Sequence, residues 1–357
     1  MAWILGLDVG TSSTKGVVID EAGRVAQAAT ATYELLSPQT NWFEQDPGDW
    51  VAATQSVMRE LEAFPIQAIG ITGQMHGLVA IDADNRPLRN AILWNDQRTS
   101  DQVVEWERIV GHDRLRSIVR NAPMTGLTAP KLLWMREHEP ELFARICRIS
   151  LPKDNVAFAL TGKWGTDRAE ASGTGLFDVG ELRWSDTMCR ALDIDMDWLP
   201  PAGAFCEPLG ETHNGVPVFL AGGDQAAGAF GMGCAREGAF SLSLGSSATL
   251  VAPSRQPADG SSPSLNCFGA IAPEWLIMGC SLNGTLALDA VRFPHLSRLF
   301  RKIQQLRCVR LHPEREFVRI DARGNLHVAR LRAMHLVQIA QRIQTEPLAL
   351  AAQPCRV

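Results

Sequence analysis

Trp3-Ile-Leu-Gly-Leu-Asp-Val-Gly-Thr-Ser-Ser-Thr-Lys-Gly-Val-Val-Ile-Asp20 decides the fold class. Residues 3–9 form a short apolar run of strand length, and Gly10-Thr-Ser-Ser13 is a small polar turn. Lys15–Asp20 reads as a second strand, Glu21-Ala-Gly23 as a turn and Arg24–Thr32 as a third strand. Three strands joined by tight turns predict an antiparallel meander. A helix is predicted next, from an N-cap at Asp46 with Pro47 at the first helical position and Asp49 in the first turn, to about Ala63. It should bury Trp50, Val57, Met58 and Leu61. The run Ala68-Ile-Gly-Ile-Thr72 then returns to the sheet. Hairpins mixed with a helical crossover predict a layered α/β domain.

Further helices are predicted to open at Thr128 with Pro130, and at Pro152 with an end near Gly162. The opening design recurs around Gly215. Val216–Ala221 is a buried strand, Gly222-Gly-Asp224 a turn and Gln225–Met232 a helix of small residues. Ala239–Leu244 then leads through Gly245-Ser-Ser-Ala248 into Thr249–Ala252.

Four clusters carry the chemistry. Glycines and hydroxyls in a tight turn let several N–H groups converge on a phosphate, so Gly10, Thr11 and Ser12 are candidate phosphate binders, with Lys15 adding charge. Asp8 is placed to hold Mg²⁺ through water. The turn joins two strands, unlike a Walker loop or a Rossmann turn, both of which open a helix; an ordinary hairpin turn is the plain alternative. Gly245 and Ser246 offer a second turn of this type. Asp224 precedes a helix with little side-chain bulk. It serves either as an N-cap or as the carboxylate that takes a proton from an attacking hydroxyl. Gly73-Gln-Met-His-Gly77 lies at a strand's C-terminal end, where open α/β sheets bind ligands, and Trp94-Asn-Asp-Gln-Arg98 supplies polar groups suited to sugar hydroxyls.

These segments, with Glu44-Gln-Asp-Pro47, Leu151-Pro-Lys-Asp154 and Ala171-Ser-Gly-Thr174, occur in the order found in the FGGY carbohydrate kinases, which residues 3–290 resemble, and within them the xylulokinase branch most. The resemblance implies two actin-like (ribonuclease H-like) ATPase domains with the active site between them. It implies ATP and Mg²⁺, and transfer of phosphate to D-xylulose or to a related ketopentose or polyol. Carried over residue by residue, Asp224 matches the catalytic base and Asp8 the metal-side aspartate. Gln74, Met75, His76, Asp96 and Gln225 match substrate-binding positions. Gln225 stands where asparagine is frequent, and Asn155 where tyrosine is usual.

The expected organisation is a sugar-binding domain over residues 1–213, the start of a second domain over 214–290, and an atypical tail over 291–357. That tail holds 12 Arg and one Lys against four acidic residues, a net charge of +9, whereas residues 1–290 carry 21 basic and 35 acidic residues, a net charge of −14. The family's pattern stops at Ala290, before its adenosine-binding loop. The tail reads as the product of a shifted frame or a truncated gene. The other reading is a replacement helix pair, to which Leu336–Ile343 lends a helical period. Weak or absent turnover, with self-association or a homodimer, is the corresponding expectation.

The overall charge of −5, and arginines without interleaved aromatic residues, disfavour a nucleic-acid partner. No run approaches 18 apolar residues, and the N-terminus lacks a basic leader, so a cytoplasmic enzyme without a membrane span is expected. Eight scattered cysteines without a CxxC pair are expected as reduced thiols.

Overall fold

The computed structural model describes residues 2–205, 208–244, 248–262, 265–270, 274–281, 317–320 and 326–329. The elements that position the site are β1 (Trp3–Val9), β2 (Ser13–Asp20), β3 (Val25–Thr32), α1 (Pro47–Glu60), β4 (Ile66–Gly73), α2 (Thr128–His138), α3 (Pro152–Thr161) and α4 (Arg168–Ser172). They continue with β5 (Pro208–Glu211), β6 (Pro217–Gly223), α5 (Asp224–Gly231), β7 (Ser241–Leu244), β8 (Ala248–Ser254), β9 (Leu265–Gly269) and β10 (Trp275–Ser281).

The meander is as expected: β1 pairs antiparallel with β2, and β2 with β3. On its other side β1 pairs parallel with β4, which pairs parallel with β6, giving the order β5-β6-β4-β1-β2-β3. Alternation along β1 buries Leu5, Leu7 and Val9 on one face and sends Asp8 to the other. The buried face is covered by Trp50, Val57 and Leu61 of the α1 segment and by Val156 and Ala157 of α3. Each large apolar side chain removed from water there contributes about 1.5–3 kcal/mol. α1 lies so close that a Cβ on Gly16 would overlap Val57 and stand 3.0 Å from Leu61. Its start is capped by Asp46, which accepts from Gly48 N at 2.8 Å. The helix ends at Glu60, with Leu61 as C-cap, and Met58 is only half-buried.

The strand beginning at Pro217 pairs with β4, so the β5–β6 hairpin of this sheet spans the expected boundary at 213/214. One sequence reading changes. Asp224 is not an N-cap: Gly223 holds that position, and Asp224 is the first helical residue.

A second sheet, in the order β7-β8-β10-β9, is antiparallel throughout. It is tied to the first sheet's side of the chain by the loop residue Asn121, whose Oδ1 accepts from Cys267 N at 2.8 Å, and by Ser172 Oγ of α4, which accepts from Gly269 N at 2.9 Å. Within the arginine-rich tail the described residues are an antiparallel pair, Phe317–Ile320 with Leu326–Ala329; the helical period at Leu336–Ile343 lies outside them. Among the described residues the cysteines form no disulfide, no group of three or more His, Cys, Asp and Glu side chains is arranged to hold a metal ion, and no helix is long and apolar enough to cross a membrane.

Candidate active site

Register builds the site. In the parallel ladder Val9 stands opposite Gly73, and Gly73 opposite Gly223, so β1, β4 and β6 end at one level. The residues at those three ends (Asp8 and the turn after Val9, Gln74–His76, and Asp224) therefore share one edge of the sheet. Open α/β sheets bind ligands at such carboxyl ends. Glycine is required at 222, which has a left-handed φ of +82°. Its carbonyl accepts from Thr72 Oγ1 at 2.8 Å and its N–H donates to Asp167 Oδ2 at 3.1 Å.

The first turn is braced from behind. Gly10 O accepts from the Tyr33 hydroxyl at 2.5 Å and from Gln74 Nε2 at 3.3 Å, and Thr11 O accepts from Gln45 Nε2 at 2.7 Å. Among the described residues the N–H groups of Thr11 and Ser12 form no hydrogen bond, which leaves them for an anion. Lys15 is exposed and stands opposite Asp8 in the β1–β2 ladder. Asp8 has a buried oxygen, Oδ1, with no partner among the described residues; burial raises its pKa and Lys15 partly offsets this. A buried, unpartnered carboxylate oxygen beside free amides fits a hydrated Mg²⁺ ion next to phosphate. Gly245 and Ser246, expected to supply the second phosphate turn, lie outside the described residues.

Asp224 opens toward the same edge, with Oδ1 accepting from its neighbour Gln225 N at 2.8 Å. Surrounding protein raises its pKa to about 6, burial first; the Asp8 carboxylate adds to the rise, and hydrogen bonds from Gln225 oppose it. A carboxylate whose proton affinity is raised by burial and by a neighbouring carboxylate is a familiar arrangement at catalytic centres.

His76 is the sugar-side candidate. It adopts a left-handed φ of +69°, uncommon for a residue with a side chain. Its Nδ1 lies 2.8 Å from Gly173 O. A carbonyl can only accept, so Nδ1 carries the proton and Nε2 is left as a hydrogen-bond acceptor. Burial and the nearby Lys131 lower its pKa to about 4, so the ring is neutral at pH 7. Met75 is buried against Gly223, where a Cβ would come within 2.6 Å of its sulfur. Gly173 has no backbone reason to be glycine, yet a Cβ there would overlap Nδ1 and lie 2.5 Å from Cε1 of His76. Gly173→Ala is expected to push the imidazole aside. Sugar affinity measured by calorimetry should fall about tenfold or more, a loss of about 1.4 kcal/mol.

Two substrate candidates have their polar groups engaged within the protein. Gln74 is buried, and its amide is spent on Thr11, Gly10 and Gln45. Asp96 is wholly buried; Oδ2 accepts from Phe43 N at 2.6 Å, and both oxygens take the Arg98 guanidinium. Gln74 braces the turn after Val9 and Asp96 anchors a loop.

Behind the site lies a buried acidic cluster that the sequence reading left unassigned. Lys153 pairs with Asp154, and with Asp167 at 2.7 Å. Asp167 also caps α4, accepting from Ala169 N at 3.0 Å and Glu170 N at 3.1 Å. Glu170 is fully buried, and neither of its oxygens has a partner among the described residues. Burial and the surrounding carboxylates raise its pKa well above the usual range, so it is held neutral. The one available signal was the adjacent charged pair Lys153-Asp154 at a helix start that runs on into the apolar Val156-Ala-Phe-Ala-Leu160.

Residues 3–231 match the model of the FGGY family of carbohydrate kinases, N-terminal domain. The chain belongs to this family. Among its relatives, the xylulose kinase of Escherichia coli K12 is 37% identical over 299 residues, covering 80% of this chain and 61% of the relative. The xylulose kinase of Lactococcus lactis is 38% identical over 275 residues, covering 72% and 55%. A crystal structure of a xylulose kinase from Brucella ovis superposes with a TM-score of 0.76 at 35% identity, covering 80% of this chain and 61% of that one. The chain thus spans about three-fifths of the length of these relatives. A gluconate kinase from Lactobacillus acidophilus superposes equally well, TM-score 0.76, at 24% identity, so the actin-like fold alone does not choose the sugar.

Proposed function

We propose that the chain carries the sugar-binding side and the catalytic base of an ATP-dependent kinase that converts D-xylulose to D-xylulose 5-phosphate. The observation that carries this reading is the common level of the β1, β4 and β6 ends, which gathers Asp8, His76 and Asp224 at one edge. The names of the relatives point the same way.

In this reading His76 Nε2 and the Gln225 amide hold sugar hydroxyls, and Met75 provides an apolar wall. The Asp224 carboxylate takes the proton of the attacking hydroxyl as the oxygen bonds to the γ-phosphorus of ATP; the bond to the bridging oxygen breaks and ADP leaves. The Thr11 and Ser12 amides, with Lys15, hold phosphate oxygens. Asp8 would hold Mg²⁺ through water, and the ion when bound neutralises phosphate charge. Positioning supplies much of the rate, because the reacting atoms must be held in line.

A second reading, sugar binding without transfer, is favoured by the change of composition after Ala290, where arginines displace the acidic residues and glycines of the preceding chain. Two measurements separate the readings. D-xylulose is expected to bind by calorimetry and to support ADP release in a coupled assay. Binding that is indifferent to ATP, with no ADP release, would select the second reading; no binding at all would overturn both.

A further inference from the structure

We propose that Lys131 is a positioning residue for the sugar site, joining the loop that carries His76 to the turn at Gly126 and so fixing where the imidazole points. This rests on the sugar-kinase reading for its purpose, though not for its geometry.

Lys131 sits in α2 within the apolar run Pro130-Lys-Leu-Leu-Trp134 and is wholly buried. A buried amine without a carboxylate partner is costly, and Lys131 forms no ion pair among the described residues. Its nitrogen instead donates to two backbone carbonyls, His76 O at 2.7 Å and Gly126 O at 2.8 Å. Thr128 Oγ1, one turn earlier on the same helix, donates to the same His76 carbonyl at 3.1 Å.

His76 is the residue with the left-handed φ of +69°. Such conformations persist where the surroundings over-determine them. Two side-chain donors on the His76 carbonyl, and Gly173 O on its ring, hold the residue from both ends. The other end of the link matters as well. A Cβ on Gly126 would lie 2.6 Å from Trp94 O, so this turn presses on Trp94, whose Nε1 donates to Thr11 Oγ1 at 3.0 Å. Lys131 therefore ties the sugar loop to the wall that reaches the phosphate turn.

The charged and titratable groups facing Lys131 are Asp96, Arg98 and His76. Burial lowers its pKa to about 7, with Asp96 opposing the fall and Arg98 adding to it. Loss of its proton near neutrality does not break the link, because a neutral amine keeps two N–H donors and two carbonyls await them.

Lys131→Met keeps the length and buried volume of the side chain and removes the donors. The expected result is a folded protein whose D-xylulose affinity, by calorimetry, is about tenfold or more weaker. ¹⁵N NMR of the histidines should show His76 leaving its single Nδ1–H tautomer. A variant that loses thermal stability but keeps wild-type sugar affinity and the His76 tautomer would overturn the proposal. Should Lys131→Met not fold, Thr128→Val removes the other donor to the same carbonyl. It is expected to weaken sugar binding and disturb the same NMR signal; wild-type values for both would overturn the proposal too. If the wild-type chain itself binds no D-xylulose, the sugar-kinase reading fails, whereas the ligand-free His76 signal still decides the role of Lys131.

Discussion

Lys153→Met is expected to destabilise the fold by about 3–5 kcal/mol, because it removes one partner of a buried ion pair and strands the others. Lys153 has no exposed surface and lies between Asp154 and Asp167. Burial alone would push the ammonium's pKa down, but the two carboxylates outweigh it and hold the group charged. Even with the lysine present, burial raises Asp154 to about 6 and Glu170 well above the carboxylate range. Without it, three acidic groups remain in a dry site. Asp154 and Glu170 can persist there only by taking up protons, which raises their folded-state pKa values further above those of the unfolded chain. Groups of that kind contribute fully below the unfolded pKa, and their contribution is lost as pH rises through the folded value. The loss should therefore be larger at pH 8 than at pH 5. Urea unfolding of both proteins at the two pH values measures it, and an equal loss at both would contradict the account. The damage should spread, since Asp167 also caps α4 and holds the Gly222 N–H at 3.1 Å beside the catalytic edge.

How much of this was legible in the sequence depended on how local the cause was. The meander, the start of α1 at Asp46-Pro47 and the span of α3 from Pro152 to the left-handed Gly162 follow from alternation and capping signals within a few residues. The place of β6 does not. Val218 pairs with Ile69 about 150 residues earlier, and an apolar strand reads the same whichever sheet it joins. Gln74 and Asp96 were of the right type for a sugar site, but their partners Gln45 and Phe43 come from a different stretch of chain. Residue type announces hydrogen-bonding capacity; only packing says who uses it. The catalytic candidates Asp8 and Asp224 were legible because glycines crowd around each, and a carboxylate among glycines has little packing purpose. Glu170 was illegible for the opposite reason. Its neutrality comes from complete burial beside other carboxylates, which only the packed fold brings together.

Asp224→Asn is expected to lower sugar-dependent ADP release about 10²–10⁴-fold, the usual contribution of a positioned general base. The amide keeps the shape of the side chain and its hydrogen bond to Gln225 but cannot accept the hydroxyl proton. D-xylulose affinity should stay within about threefold, which corresponds to less than about 0.7 kcal/mol. The wild-type pH profile gives an independent reading of the same group. A base must be ionised to act, and Asp224 has its pKa raised to about 6 by burial and by Asp8. The rate should therefore fall roughly tenfold per pH unit below about 6 and level off above it. A profile flat down to pH 4.5 would mean that a different group accepts the proton. Asp8→Asn offers the complementary test, since removing its negative charge makes Asp224 easier to ionise. Whatever turnover survives in Asp8→Asn should have its midpoint displaced to lower pH. A midpoint that stays in place would place the two carboxylates too far apart to serve one transfer.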